Sequence, residues 1–195
     1  MNSWEKLFKN FDKRLEHEEL DEFISHLNAS LDRRIKQFEE QIEGLSESDM
    51  EDPRDLDAYR EHLIELSSSL YAAKELGHEL SIIALYKKVE SHLCTVAHRK
   101  VSAEEGKNLV HVLDLIKVLP FDILTVIEYG AYDELRLINN AIKHTGKVTP
   151  QLSQKYPSWV AGENLTELEA AFERLLPKVK AFVSDLVEKL YAVEP

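Results

Sequence analysis

Arg136, Asn140 and His144 follow one another at intervals of four, and Lys143 adjoins His144. On a helix that spacing puts guanidinium, amide and imidazole on one face. Leu135, Ile138 and Ile142 fall on another face, available to a core. These residue types suit phosphodiester cleavage. A neutral imidazole takes a proton from a ribose 2′-OH, and an imidazolium returns one to the leaving oxygen. An arginine holds a phosphate through paired N–H groups and stabilises the charge that develops on it. Asn140 would orient the histidine or bond the phosphate, and Lys143 and Lys147 would add binding field. Such chemistry needs neither a metal nor a cofactor. The structural alternative is a histidine and lysine that simply meet the negative end of a helix dipole.

The elements that must hold these residues read as helices almost throughout. Phe8, Phe11 and Leu15 open an apolar stripe that continues through Leu20, Phe23, Ile24, Leu27, Leu31, Ile35, Phe38, Ile42 and Leu45. It predicts one long helix, or two joined near Glu18 to Asp21. Asp52-Pro53 starts the next helix as cap and first residue. Leu56, Tyr59, Leu63, Leu66, Leu70 and Ala73 are its expected buried stripe, and Gly77 ends or kinks it. Leu80 to His98 is apolar on more than one face, as the central helix of a bundle is. Ser102-Ala103-Glu104-Glu105 is a capping box that opens a helix ending before Pro120. Asp122 caps a helix that runs to His144, where Thr145-Gly146 stops it. Residues 146–163 read as a loop, and a loop that long is often functional. The last helix, in 164–195, is expected to kink or split at Pro177.

The chain has 195 residues, 36 acids, 24 Lys and Arg, and one cysteine. That length buries a core without disulfide or metal staples, and one cysteine, Cys94, excludes a Cys-based zinc site. No apolar run approaches about 18 residues and residues 1–10 lack a signal-peptide pattern, so the expected setting is cytoplasmic, with no membrane contact. The net charge of −12 argues against a nonspecific nucleic-acid binder. The acidity is local, however. Residues 1–66 hold 19 acids and 9 bases, whereas no acid lies between Arg136 and Gly162. Arg136, Lys143, Lys147 and Lys155 stand in that stretch.

The segment from Asp133 to Gly146 resembles the signature of the HEPN superfamily, small helical-bundle proteins of toxin–antitoxin, phage-defence and RNA-processing systems. Their motif joins an arginine to a histidine near the end of a bundle helix. Arg136 and His144 match it, and Asn140 and Lys143 are similar to the Asn and Lys-His of divergent members. Seven residues separate Arg136 from His144, more than is usual, and Leu137 follows the arginine where a polar residue is common. The resemblance implies a metal-independent endoribonuclease, its site formed where two motifs meet across a homodimer. The alternative it implies is a non-catalytic RNA- or protein-binding module. An antitoxin or defence-system protein would be the partner. The expected architecture is one all-α domain over 1–195, an antiparallel helical bundle. It comprises a helical extension (1–50), a bundle core (52–145), the loop (146–163) and a C-terminal helix (164–195). Glu75-Leu76-Gly77-His78 has half of a di-iron motif without a second copy, and Cys94 reads as a buried core thiol.

Overall fold

The computed structural model describes residues 3–46, 52–100, 114, 116, 117 and 119–192. They form α1 (Ser3–Asp12), α2 (Glu18–Gly44), α3 (Pro53–Lys100), α4 (Tyr129–His144), α5 (Pro150–Lys155) and α6 (Leu168–Ala192), with a 3-10 turn at Ile123–Thr125. Among the described residues there is no strand, only an isolated bridge between Lys147 and Asn164. The architecture is an all-α helical bundle. The capping box at Ser102 and the helix expected from it, up to Leu113, lie outside the described residues. Among the described residues no helix is long and apolar enough to cross a membrane.

The chain forms two compact units, residues 18–81 and residues 1–17 with 82–195. These cuts fall inside the expected extension and inside the expected core. α1 goes with the C-terminal helices, and α3 contributes to both units.

In the 18–81 unit, α2 and the first part of α3 make an antiparallel hairpin. Its direction follows from three contacts in descending order: His78 Nε2 with Asn28 Oδ1 at 3.2 Å, Lys74 with Asp32 at 2.8 Å, and Tyr71 with Glu39 at 3.0 Å. Leu56, Leu63 and Leu70, seven apart, are buried along with Leu20 and Ile35. The expected stripe was broader. Tyr59, Leu66 and Ala73 are exposed, because two helices touch along one narrow seam and the neighbouring row faces sideways. α3 passes through Gly77 without ending. A Cβ there would lie 2.0 Å from Leu27 Cδ2, so the glycine marks the close approach of the two helices.

In the other unit, α1 reverses the expectation for Phe8 and Phe11. Both rings are exposed, while Asp12 is buried. Polar contacts seat the helix. Lys9 pairs with Glu188, Glu5 with Lys100 at 3.0 Å, and Asp12 takes Arg99 and the Tyr191 hydroxyl, each at 2.7 Å. Residues 14–17 are not helical, so α1 and α2 are separate helices. The core joins Ile82, Leu85, Val89 and Leu93 of α3 to Leu135 and Ile138 of α4 and Leu175, Val179 and Leu186 of α6, all fully buried. Tyr132 stacks on Phe182 at 4.8 Å and on Tyr86 at 6.3 Å. α6 continues through Pro177. That proline is exposed, so the carbonyl it leaves unpaired reaches water.

Gly77→Leu should destabilise the chain by about 2 kcal/mol in urea unfolding, through overpacking against Leu27. Gly77→Ala should fall well short of that, because its helix propensity gain of about 1 kcal/mol offsets the shift of one methyl.

Candidate functional site

α4 begins later than its expected cap. Asp122 does cap, accepting the Leu124 N–H at 2.9 Å, but it caps the 3-10 turn. The chain then passes Glu128 at φ 56 before α4 starts at Tyr129. The Ile127 N–H reaches Asp185 of α6 at 2.9 Å and holds the entry. The helix ends as expected. The N–H groups of Thr145 and Gly146 both return to the Ala141 carbonyl, and Gly146 takes a left-handed φ of 65, which suits glycine.

Two adjacent carboxylates dominate α4. Asp133 and Glu134 are almost wholly buried, with 3% and 6% of their side chains exposed. Asp133 Oδ1 accepts from Arg136 Nη2 at 2.7 Å and Nε at 3.3 Å. Its Oδ2 accepts from Lys155 at 2.8 Å. The Tyr156 hydroxyl sits 3.2 Å from the same oxygen and 2.7 Å from the Gly130 carbonyl, and its single hydrogen serves one or the other. Glu134 accepts two bonds from Arg174 of α6, at 2.7 and 2.9 Å, and one from Trp159 Nε1 at 2.8 Å. Burial raises the pKa of each carboxyl. The hydrogen bonds from Lys155 and Arg136, and from Arg174 and Trp159, more than offset it, so both lie below their ordinary values.

These bonds order the segment expected to be a loop. Thr149 caps α5 by accepting the Leu152 N–H at 3.2 Å, with Pro150 at the first position. The ends of the segment meet where the Val148 N–H reaches the Glu163 carbonyl and the Leu165 N–H reaches that of Gly146. Residues 146–163 are thus a closed, helix-bearing lobe fastened to α4.

The sequence stripe divides in two. Arg136 is half-buried and turned back onto Asp133. Asn140 is also half-buried, and accepts from buried Asn139 at 3.3 Å. Lys143, His144 and Lys147 are exposed. Lys143 Nζ lies 5.9 Å from the centre of the Tyr86 ring. The backbone of Lys147 is set by Thr145, whose hydroxyl accepts the Lys147 N–H at 3.2 Å. From Arg136 to His144 the helix rises about 12 Å, so the guanidinium and the imidazole of one chain stand at different levels.

Sequence reasoning left Asp133, Glu134, Tyr156, Trp159 and Arg174 without roles. One signal was present: two adjacent acids inside an apolar pattern, just before a stretch without acids. Trp159 and Arg174 also border a cleft of 260 Å³ with Val148, Asn164 and Glu167, and none of the α4 stripe residues lines it. Among the described residues, no group of three or more His, Cys, Asp or Glu is placed to hold a metal. His78 of the Glu-x-x-His sequence faces Asn28, and Cys94 is buried, which raises its thiol pKa. No family model, curated protein or solved structure matches the chain.

The carboxylate clamp makes the fold acid-sensitive. Both pKa values are depressed, so its stabilisation is present above the ordinary carboxylate range of about 4 and is lost as pH falls through the folded values. Asp133→Asn should lower stability at pH 7 by about 2–3 kcal/mol, since it unpairs Arg136 and Lys155. The loss should shrink toward pH 2, as followed by circular dichroism in urea.

Proposed function

We propose that this chain is a helical RNA-binding module that contacts phosphates through the end of α4, with Lys143, His144 and Lys147 as the contacting groups. The observation that carries the reading is their common exposure on a stretch without acids, within an otherwise acidic protein. Exposed groups at a helix end make inexpensive phosphate contacts, because binding breaks no ion pair to a buried acid. The resemblance of Arg136 to His144 to a HEPN signature supports the same ligand. In this reading Arg136 positions α4 through Asp133 and does not touch RNA.

A second reading is favoured by the exposure of the His144 imidazole. His144 would transfer protons during 2′-OH attack in a metal-independent endoribonuclease of a toxin or defence system, with Asn140 orienting it. Since Arg136 and His144 stand about 12 Å apart along one helix, the phosphate-binding arginine would come from a second copy in a homodimer.

Binding of a single-stranded RNA oligonucleotide, followed by fluorescence anisotropy across a salt series, tests the first reading. Lys143→Ala with Lys147→Ala should weaken binding by about tenfold or more and reduce the salt slope by about 1.4. A wild-type chain that binds no RNA at low salt rejects it. Cleavage of the same RNA in the presence of chelator, abolished by His144→Ala, would establish the second reading over the first.

A further inference from the structure

The cleft of 260 Å³ between the 146–163 lobe and the start of α6 combines fixed walls with uncommitted charge. Trp159 and Arg174 are the walls. The indole Nε1 and the guanidinium both bond buried Glu134, at 2.7 to 2.9 Å, so neither side chain is free to swing. With its N–H edge spent on Glu134, the indole offers the cleft its ring. On the α6 side Ala170 and Ala171 add little bulk. Glu163 and Glu167 also line the cleft, and both are exposed. Among the described residues neither carboxylate has a hydrogen bond or an ion pair. The charge of Arg174 is already balanced by Glu134. The cleft therefore holds two uncompensated negative charges. The partial positive charge at the start of α6, about half a unit, does not reverse that sign. Lys147 bridges Asn164 through the backbone but does not line the cleft.

We propose that this cleft binds an alkylguanidinium, the side-chain group of arginine, carried by a peptide or by a small free molecule. Two carboxylates without counter-charge select a cation. The indole wall selects among cations, because an organic cation is drawn to the face of a tryptophan ring. A metal ion would need more ligands than the cleft supplies: among the described residues no group of three or more His, Cys, Asp or Glu is placed to hold one. A guanidinium suits the site better than an ammonium. It is planar and more weakly hydrated, so it stacks on an aromatic face at a smaller desolvation cost. Its N–H fork also pairs with a carboxylate at two points. Glu163 comes from the lobe and Glu167 from the residue before α6, so the bound cation would lie between two separate segments. The side chains of Asn164 and Thr166, which also line the cleft, supply acceptors for its remaining N–H groups. The size agrees. The volume falls just below the usual range for small-molecule pockets, about 300–1,000 Å³, which fits a single side chain rather than a nucleotide.

The inference needs neither RNA binding nor cleavage at the end of α4, so its test is independent of any RNA assay. The probes are butylguanidinium, butylamine and the capped tripeptide acetyl-Gly-Arg-Gly-amide, each titrated into the full nitrogen-15-labelled chain. The indole N–H resonance of Trp159 reports the cleft, and that of Trp4 in α1 is the internal control. Butylguanidinium should move the Trp159 resonance with a Kd of about 1 mM or tighter and leave that of Trp4 in place. Butylamine should bind more weakly. Glu163→Gln with Glu167→Gln should weaken binding about tenfold or more, with unchanged helical circular dichroism, since both side chains are exposed. Glu173→Gln removes one charge from an exposed position of α6 outside the cleft, and should change binding by less than about twofold. Ala170→Leu, also at an exposed position, should block the cleft by filling it. Tighter binding of the tripeptide than of butylguanidinium supports the proposal with a protein as the source of the arginine, and the reverse supports it with a small molecule. A Trp159 resonance unmoved by both guanidinium probes at tens of millimolar overturns the proposal. Butylamine binding as tightly as butylguanidinium, or binding that survives Glu163→Gln with Glu167→Gln, also overturns it.

Discussion

Two carboxylates buried side by side on one helix constrain much of the C-terminal unit. Asp133 and Glu134 are adjacent, so they project in different directions from α4 and each needs its own counter-charge. Arg136 supplies part of one from the next turn of the same helix. The other partners come from 22 to 40 residues further along the chain. Lys155 and Trp159 cannot reach α4 unless residues 146–163 fold back on it. Arg174 cannot reach Glu134 unless α6 lies alongside. One electrostatic requirement therefore closes the lobe and fixes the level at which α6 packs, while the apolar stripes decide which faces meet.

The same requirement divides the α4 stripe into an inner and an outer part. Arg136 is satisfied internally, with both its Nε and Nη2 on one carboxylate oxygen. Lys143 and His144 form the last turn of α4 and Lys147 stands at the start of the lobe, and all three are exposed beyond the clamp. A cation that already neutralises a buried acid is a poor phosphate ligand, because binding would leave that acid unpaired. Exposed cations carry no such penalty. The site's chemistry is thus set less by which residues are present than by which are already engaged.

α1 and the α2–α3 hairpin show a related division between pattern and use. Both carry amphipathic patterns that alone predict an apolar face turned inward. In α1 the polar face docks, because Glu5, Lys9 and Asp12 find Lys100, Glu188, Arg99 and Tyr191. In α3 two apolar rows compete for α2, and only the Leu56, Leu63 and Leu70 row is covered. Periodicity reports that a face is apolar. It does not report which neighbour is there to cover it.

Helix identity, most helix ends and the polar stripe on α4 were determined by the sequence itself, because they depend on spacing and capping within a few residues. Thr145-Gly146 stopping α4 and Asp52-Pro53 starting α3 are of that kind. So was α5 in principle, since Thr149-Pro150 carries its cap and first residue, although its six residues make too short a pattern to stand out. Tertiary structure alone decided that Lys155 joins Arg136 on Asp133, that Trp159 and Arg174 serve Glu134, and that Phe8 and Phe11 face outward. Those outcomes rest on charges and rings brought together across 22 to 179 residues of chain. Local propensity is blind to that distance, whereas the desolvation of a buried charge is not.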